Sequence, residues 1–162
     1  MTTFSVPRAG VDAIAREVAS YGSAGLETGG FLLAPTGGAE VHAIALAGTS
    51  GIVRRHNLFQ ISASALDRLF AYADESGFWL PAQFHSHQVG ALLSLPDALH
   101  GVRAEGFVSV IVPNFACPPE DPMTWGWWQF TGGDWGPSLP AAVSDEILSV
   151  VVEFDEDGVR DR

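Results

Sequence analysis

The stretch FWLPAQFHSHQVGALLSLPD, residues 78–97, runs a strand into a pair of histidines and stops at the start of a helix. Residues 78–85 read as a strand. Residues two apart on a strand point to one face, so His85 and His87 converge on one point if the strand reaches that far. Ser94 has the type and position of a helix N-cap. Pro96 is tolerated in a first turn, and Asp97 falls at the third helical position, where a carboxylate suits the helix dipole. Residues 97–104 are then a short predicted helix before Gly106. Two imidazoles and one carboxylate make a three-ligand set for catalytic zinc, with a fourth position left for water. Such a set still needs a proton shuttle. Glu27, in Leu26-Glu27-Thr28-Gly29-Gly30 just ahead of a strand, is the acid nominated for it.

Outward from this segment, Val11, Ile14, Ala15, Val18 and Ala19 mark one face of an amphipathic helix, with Gly22 as a left-handed stop. Leu66, Leu69, Phe70 and Ala73 repeat the pattern in a second helix, capped by Ser62 or Ser64 and followed by Gly77. Strands are predicted at residues 30–34, 41–47, 59–61, 107–112, 125–130 and 147–154, with turns at PTGGA (35–39) and TGGDWG (131–136). The runs VSVIV and LSVVV suit strands buried on both faces. Helices interspersed among such strands predict an α/β (mixed α+β) fold, a mixed sheet covered by helices. Residues 1–154 form one domain on this reading, and the charge-alternating tail 155–162 is frayed.

The 162 residues include one cysteine, no lysine, eight arginines and nineteen acids, for a net charge of −11. A chain of this length buries a core without disulfides. Its charge argues against binding nucleic acid through phosphates, its single cysteine gives no sign of an oxidising compartment, and no apolar run is long enough to span a bilayer. The expectation is a cytoplasmic protein with no nucleic-acid or membrane partner.

Glu27 with Gly-Gly-Phe-Leu-Leu close behind it, then His85-Ser86-His87, then Ser94-x-x-Asp97 resembles the JAMM motif of the MPN+ (JAB) metalloproteases. The order of elements from Val11 to Phe130 resembles that family as well. The resemblance implies an MPN/JAB-type mixed sheet flanked by helices, a cytidine-deaminase-like sandwich. It implies that His85, His87 and Asp97 hold Zn²⁺, that Glu27 is the general base toward zinc-activated water, and that Ser94 stabilises the oxyanion. By the same resemblance the activity is that of a bacterial deubiquitinase-like isopeptidase, cleaving a ubiquitin or ubiquitin-like protein after its C-terminal glycine. Relatives of this kind act beside activating and conjugating enzymes in conjugation or antiphage pathways, or in sulfur-carrier processing. The chain departs from the family pattern in two places: six residues rather than seven separate His87 from Ser94, and Gln88 stands where proline is common. The alternatives are a catalytically inactive MPN scaffold that binds partner proteins, and a zinc hydrolase of a different small substrate.

Plainer readings stand beside these. Ser94 is needed as an N-cap whatever else it does, and Glu27 can be an exposed acid at a strand start. The apolar loop 89–93 is either buried under its neighbours or a patch that meets a protein substrate. Arg54-Arg55-His56-Asn57 is a polar loop bordering a cleft, or a solvated turn. Trp125, Trp127 and Trp128 cannot all face one way along a strand, so at least one faces outward. Cys117 has no nearby histidine to activate it.

Overall fold

The computed structural model describes residues 4–162. In chain order the elements are β1 (Ser5–Pro7), α1 (Arg8–Gly22), β2 (Gly29–Pro35), β3 (Ala43–Ala47), β4 (Ile52–Arg55), β5 (Leu58–Ile61), α2 (Ala63–Ser76), β6 (Phe78–Ser86), α3 (Leu95–His100), β7 (Val108–Val112), β8 (Gly126–Thr131), β9 (Asp134–Pro137), β10 (Ala142–Ser144), β11 (Val150–Asp155) and β12 (Gly158–Asp161). Eight strands form one sheet in the order β12-β11-β3-β2-β6-β7-β8-β9; β1 pairs with β10 and β4 with β5 in separate ribbons. The β6–β7 and β3–β11 pairs are parallel and the other pairs of the large sheet are antiparallel, so the sheet is mixed, as the sequence predicts.

Alternation along the central strands splits the core into two layers. Leu32, Ile44, Phe84, Val108, Val110 and Trp127 pack with Val11, Ile14 and Val18 of α1. On the opposite face, Phe31, Leu33, Ala43, Ala45 and Phe154 pack with Leu69 and Ala73 of α2. Helix, sheet and helix thus form a three-layer sandwich. Ser62 caps α2 by accepting from the Ala65 N–H at 3.1 Å, and Gly77 ends it at φ 73°. No helix among the described residues is long and apolar enough to cross a membrane.

Four expectations are corrected. Gly22 is the last residue of α1 rather than its left-handed stop, a conformation taken instead by Gly25 at φ 76°. Glycine is required at 22 for another reason: a Cβ there would lie 1.9 Å from the Phe115 carbonyl oxygen. The helix predicted at residues 97–104 begins earlier and ends at His100, because Val102 turns away to pack in the layer under α2. Arg54 and Arg55, read with His56 and Asn57 as a polar loop or turn, end β4, which pairs with β5 as a hairpin.

The tail is not frayed. Gly158–Asp161 pairs antiparallel with β11 and forms the edge of the sheet. Its alternating charges are partnered rather than solvated. Asp155, 2% exposed, accepts from Arg160 at 2.8 and 3.1 Å, from Thr49 N at 3.1 Å and from Asp157 N at 3.0 Å. Arg162 reaches Glu17 of α1 at 2.6 Å. The hydrogen bonds from Arg160, with those from Thr49 and Asp157, outweigh burial and hold Asp155 well below the usual carboxylate range. A depressed pKa stabilises the fold above the ordinary carboxylate pKa, and that contribution is lost as pH falls below it. Asp155→Ala removes the acceptor shared by Arg160, Thr49 and Asp157 and is expected to cost about 1–3 kcal/mol at pH 7 by urea unfolding, with the gap to wild type narrowing as pH falls below about 4. An unchanged urea midpoint at pH 7 would show the tail to be dispensable.

Candidate metal centre

The geometry of the site begins with an irregularity in β6. Its register with β2 shifts between Leu32 and Ala34, opposite the position where Pro81 lacks an N–H to give. Beyond the shift, Gly29 faces His85 and Phe31 faces Gln83, which turns both β6 side chains toward the α2 side of the sheet. Ser86 points the other way and is fully buried. Its hydroxyl accepts from Thr28 N at 2.9 Å, and its own N–H donates to Thr28 O at 2.9 Å, closing the start of β2 onto the end of β6. His87 lies just past the strand, its N–H on Val112 O at 3.0 Å and its carbonyl accepting from Phe115 N at 3.1 Å.

These constraints bring three donors together. His85 Nε2 lies 3.2 Å from His87 Nε2 and 3.2 Å from Asp97 Oδ1, and His87 Nε2 lies 3.1 Å from Asp97 Oδ2. Two ligands held at roughly 2.0–2.1 Å by a tetrahedral ion are about 3.3 Å apart, so the spacing suits zinc. The donor chemistry fits as well. Two neutral imidazoles can each turn an Nε2 lone pair, and the carboxylate an oxygen, to one cation placed between them. His85, His87 and Asp97 are thus the described group that could hold a metal ion.

Ser94 and Asp97 form a reciprocal capping box at the start of α3. Asp97 N donates to Ser94 Oγ at 3.2 Å, and Ser94 N donates to Asp97 Oδ2 at 3.0 Å. The carboxylate oxygen that faces His87 is therefore oriented by the backbone of its own helix cap. Burial works against the charge on Asp97, but hydrogen bonds with His85, His87 and Ser94 outweigh it and hold the carboxyl well below its ordinary range.

Glu27 sits on the wall of the same cleft, 7% exposed, with its N–H on Arg55 O at 2.8 Å. Burial pushes its carboxyl up to about 7; the charge of His87 lowers it and that of Asp97 raises it. The cleft, about 730 Å³, is bounded by β5, α2, the loop after His87 and α3. All five residues singled out from the sequence therefore meet in one place.

Several supporting residues carried no signal as such. Ser86 carries no sequence signal beyond standing between the two histidines. Arg54 donates to Thr28 Oγ1 at 3.0 Å and to Gly48 O at 2.5 Å, also bonds Ala47 O, and lies 4.0 Å from the Tyr21 ring centroid, fastening the β4–β5 ribbon beside Glu27. Trp125 and Trp127 are core residues, while Trp128 turns to the cleft face and donates to Ala91 O at 3.1 Å. Trp135 does the same for Ala98 O at 3.2 Å. The outward tryptophan predicted by alternation is thus Trp128, and it secures the loop that delivers Asp97. Within that loop Val89 and Leu92 are exposed, as are Leu95 and Leu99 of α3, so the loop is not buried under its neighbours.

No protein-family model and no curated protein matches this sequence. Solved structures do match. A solution structure of a protein from Desulfitobacterium hafniense aligns with a TM-score of 0.66 at 11% identity, covering 89% of this chain and 94% of that one. A JAB1/MPN domain protein from Archaeoglobus fulgidus aligns at 0.51 with 14% identity, covering 89% of this chain and 100% of that one. The fold is MPN/JAB-like. A protein from Salinibacter ruber also aligns at 0.51, with 21% identity over 86% of this chain and 91% of that one.

Two outcomes are expected from these contacts. Trp128→Phe removes the bond to Ala91 while keeping an aromatic ring, and should weaken the uptake of an added divalent metal ion about 10-fold in chelator competition with little change in melting temperature. Equal affinity would show that the loop holds itself. The raised pKa of Glu27 means the folded state holds that proton more tightly, so its contribution is complete below about pH 4.5 and lost as pH rises through about 7. In metal-stripped protein, Glu27→Gln should match wild type at about pH 4 and exceed it by on the order of 2 kcal/mol at about pH 8. A pH-independent difference would contradict the burial argument.

Proposed function

We propose that this protein is a zinc-dependent metallopeptidase of the JAMM type that cleaves a ubiquitin or ubiquitin-like protein after its C-terminal glycine. The observation that carries the reading is the convergence of His85, His87 and Asp97 with Glu27 on the wall of one cleft. Two imidazoles with one carboxylate select zinc over magnesium or calcium, which favour oxygen ligands. Bound there, zinc would supply Lewis acidity, lowering the pKa of water and polarising an amide carbonyl.

The remaining steps belong to the chain's own groups. With its carboxyl near 7, Glu27 is poised to take a proton from the attacking water and return it to the leaving amine. Ser94 uses a lone pair to accept from Asp97 N, which leaves its hydroxyl hydrogen free to donate to the oxyanion that develops on the carbonyl. Its capping and catalytic roles are therefore compatible. Among the described residues β5 pairs with β4 alone, and Leu58–Ile61 line the cleft, so a thin Gly-Gly tail can lie along this edge as an added strand. The exposed Val89, Leu92, Leu95 and Leu99 beside the site favour a protein substrate over a small molecule.

The first test is metal content by mass spectrometry. Near one zinc per chain is expected in wild type and in Glu27→Gln, and little in His85→Ala or Asp97→Ala. A panel of ubiquitin-like proteins fused at the C-terminus to a fluorogenic amine should then be cleaved by wild type, with Glu27→Gln slower by about 10²–10⁴-fold in kcat/KM. Failure to take up zinc would remove the hydrolase reading. Full zinc occupancy with no cleavage across the panel would favour a scaffold or another substrate.

A further inference from the structure

Strand register arranges the cleft floor in rows. Gly29, His85, Ile111 and Gly126 lie in one row across β2, β6, β7 and β8, and Phe31, Gln83, Ser109 and Trp128 lie in the row two residues back on the same face. Two strand residues separate the rows by about 7 Å. Phe31, Gln83 and Ser109 all line the cleft, between Leu66 of α2 on one side and Val102 after α3 on the other.

Gln83 and Ser109 are exceptional there. Ser109 is the one polar residue of the buried VSVIV strand and is 7% exposed, yet neither its hydroxyl nor the Gln83 carboxamide has a hydrogen-bond partner among the described residues. No buried side-chain nitrogen or oxygen among the described residues lacks a partner, so these polar atoms are turned to the open cleft, where a ligand or water can meet them. The two lie directly across from one another, each exposing polar atoms to the same pocket. No residue of their row is charged; the ionisable residues lining the cleft are Glu27, His85, His87 and Asp97 around the metal centre and His56 at the β4–β5 turn. A carboxamide with a hydroxyl beside it offers donors and acceptors together, which matches another carboxamide in both directions and leaves a charged group unneutralised.

We propose that Phe31, Gln83 and Ser109 form a subsite for a carboxamide side chain, glutamine or asparagine, at the third residue counted from the cleaved bond. The 7 Å between rows corresponds to two residues of extended substrate beyond the one at the metal centre. Phe31 and Leu66 contact the aliphatic stem and Gln83 and Ser109 read the amide tip. This inference rests on the peptidase reading only for the identity of the bond that is cut.

The test uses internally quenched peptides with a central Gly-Gly and with Gln, Leu or Glu at the third residue on either side of the expected cleavage point. Binding is measured by fluorescence on zinc-loaded Glu27→Gln protein, so that it does not depend on turnover. The Gln peptide of one series should bind about 5–10-fold more tightly than its Leu and Glu counterparts. Adding Gln83→Leu, or separately Ser109→Ala, should bring that ratio toward one, with zinc content and melting temperature checked in each. Equal affinities across the series, a preference that survives both substitutions, or no binding at millimolar peptide would each overturn the subsite. A carboxamide preference in binding, with no cleavage of any peptide by wild type, would leave the subsite standing and overturn the peptidase reading instead.

Discussion

Gly29 and Gly30 sit where β2 is pressed between β3, β6 and the ring of Phe59, and no side chain fits at either position. A Cβ on Gly30 would lie 2.0 Å from the Ala45 carbonyl oxygen, and one on Gly29 would lie 2.5 Å from Phe84 O and 2.6 Å from the Phe59 ring. This close approach sets the rest of the site. It lets the first residues of β2 pair with the last residues of β6, where Thr28 and Ser86 close the strands together. Glu27 is then delivered, one residue earlier, to the wall beside the histidines. Any larger residue at 29 or 30 would push Glu27, the Phe59 wall or the histidine strand away from the others.

The candidate metal centre draws rigidity from ordinary secondary-structure devices. Asp97 is at once the third residue of a helix, half of a capping box and a candidate ligand, and each role fixes the same carboxylate. The loop before it has one residue fewer than the pattern it resembles, yet Ser94 still caps α3 and Asp97 still meets both histidines. Loop length is absorbed by how the loop is docked. Gly126 lets Ala91 O approach β8, since a Cβ there would be 2.0 Å from that oxygen, and Trp128 holds the same carbonyl by its indole N–H.

The legible parts of this fold were those with a local cause. Alternation in VSVIV, the helical spacing of Leu66, Leu69 and Ala73, and the serine caps at Ser62 and Ser94 each depend on residues near in sequence, and each appears in place. The site residues were legible because their spacing combines such elements. What the sequence concealed has distant causes. The tail resembled a solvated charge run because Asp155 finds Thr49, and Arg162 finds Glu17, only once the chain has folded. Gly22 resembled a helix stop because the approach of Phe115 cannot be seen locally. Arg54 and Arg55 resembled a polar loop because Arg54 spends its donors on Thr28, Ala47 and Gly48 only inside the fold.

Charge is distributed unevenly along the cleft. The groups that hold or move charge are gathered in and around the His85 row, where Glu27 and Asp97 make the local potential favourable to a cation, in a protein whose net charge of −11 does the same at long range. One row back, Phe31, Gln83 and Ser109 present only apolar and neutral polar surface. A charged side chain placed there would lose its hydration without gaining a partner, whereas a neutral group that hydrogen-bonds in both directions loses nothing it cannot recover. Because the two rows share strands β2, β6 and β7, the distance between them is fixed by strand geometry rather than by a flexible loop. A substrate lying across both would therefore be positioned by the sheet that carries the histidines.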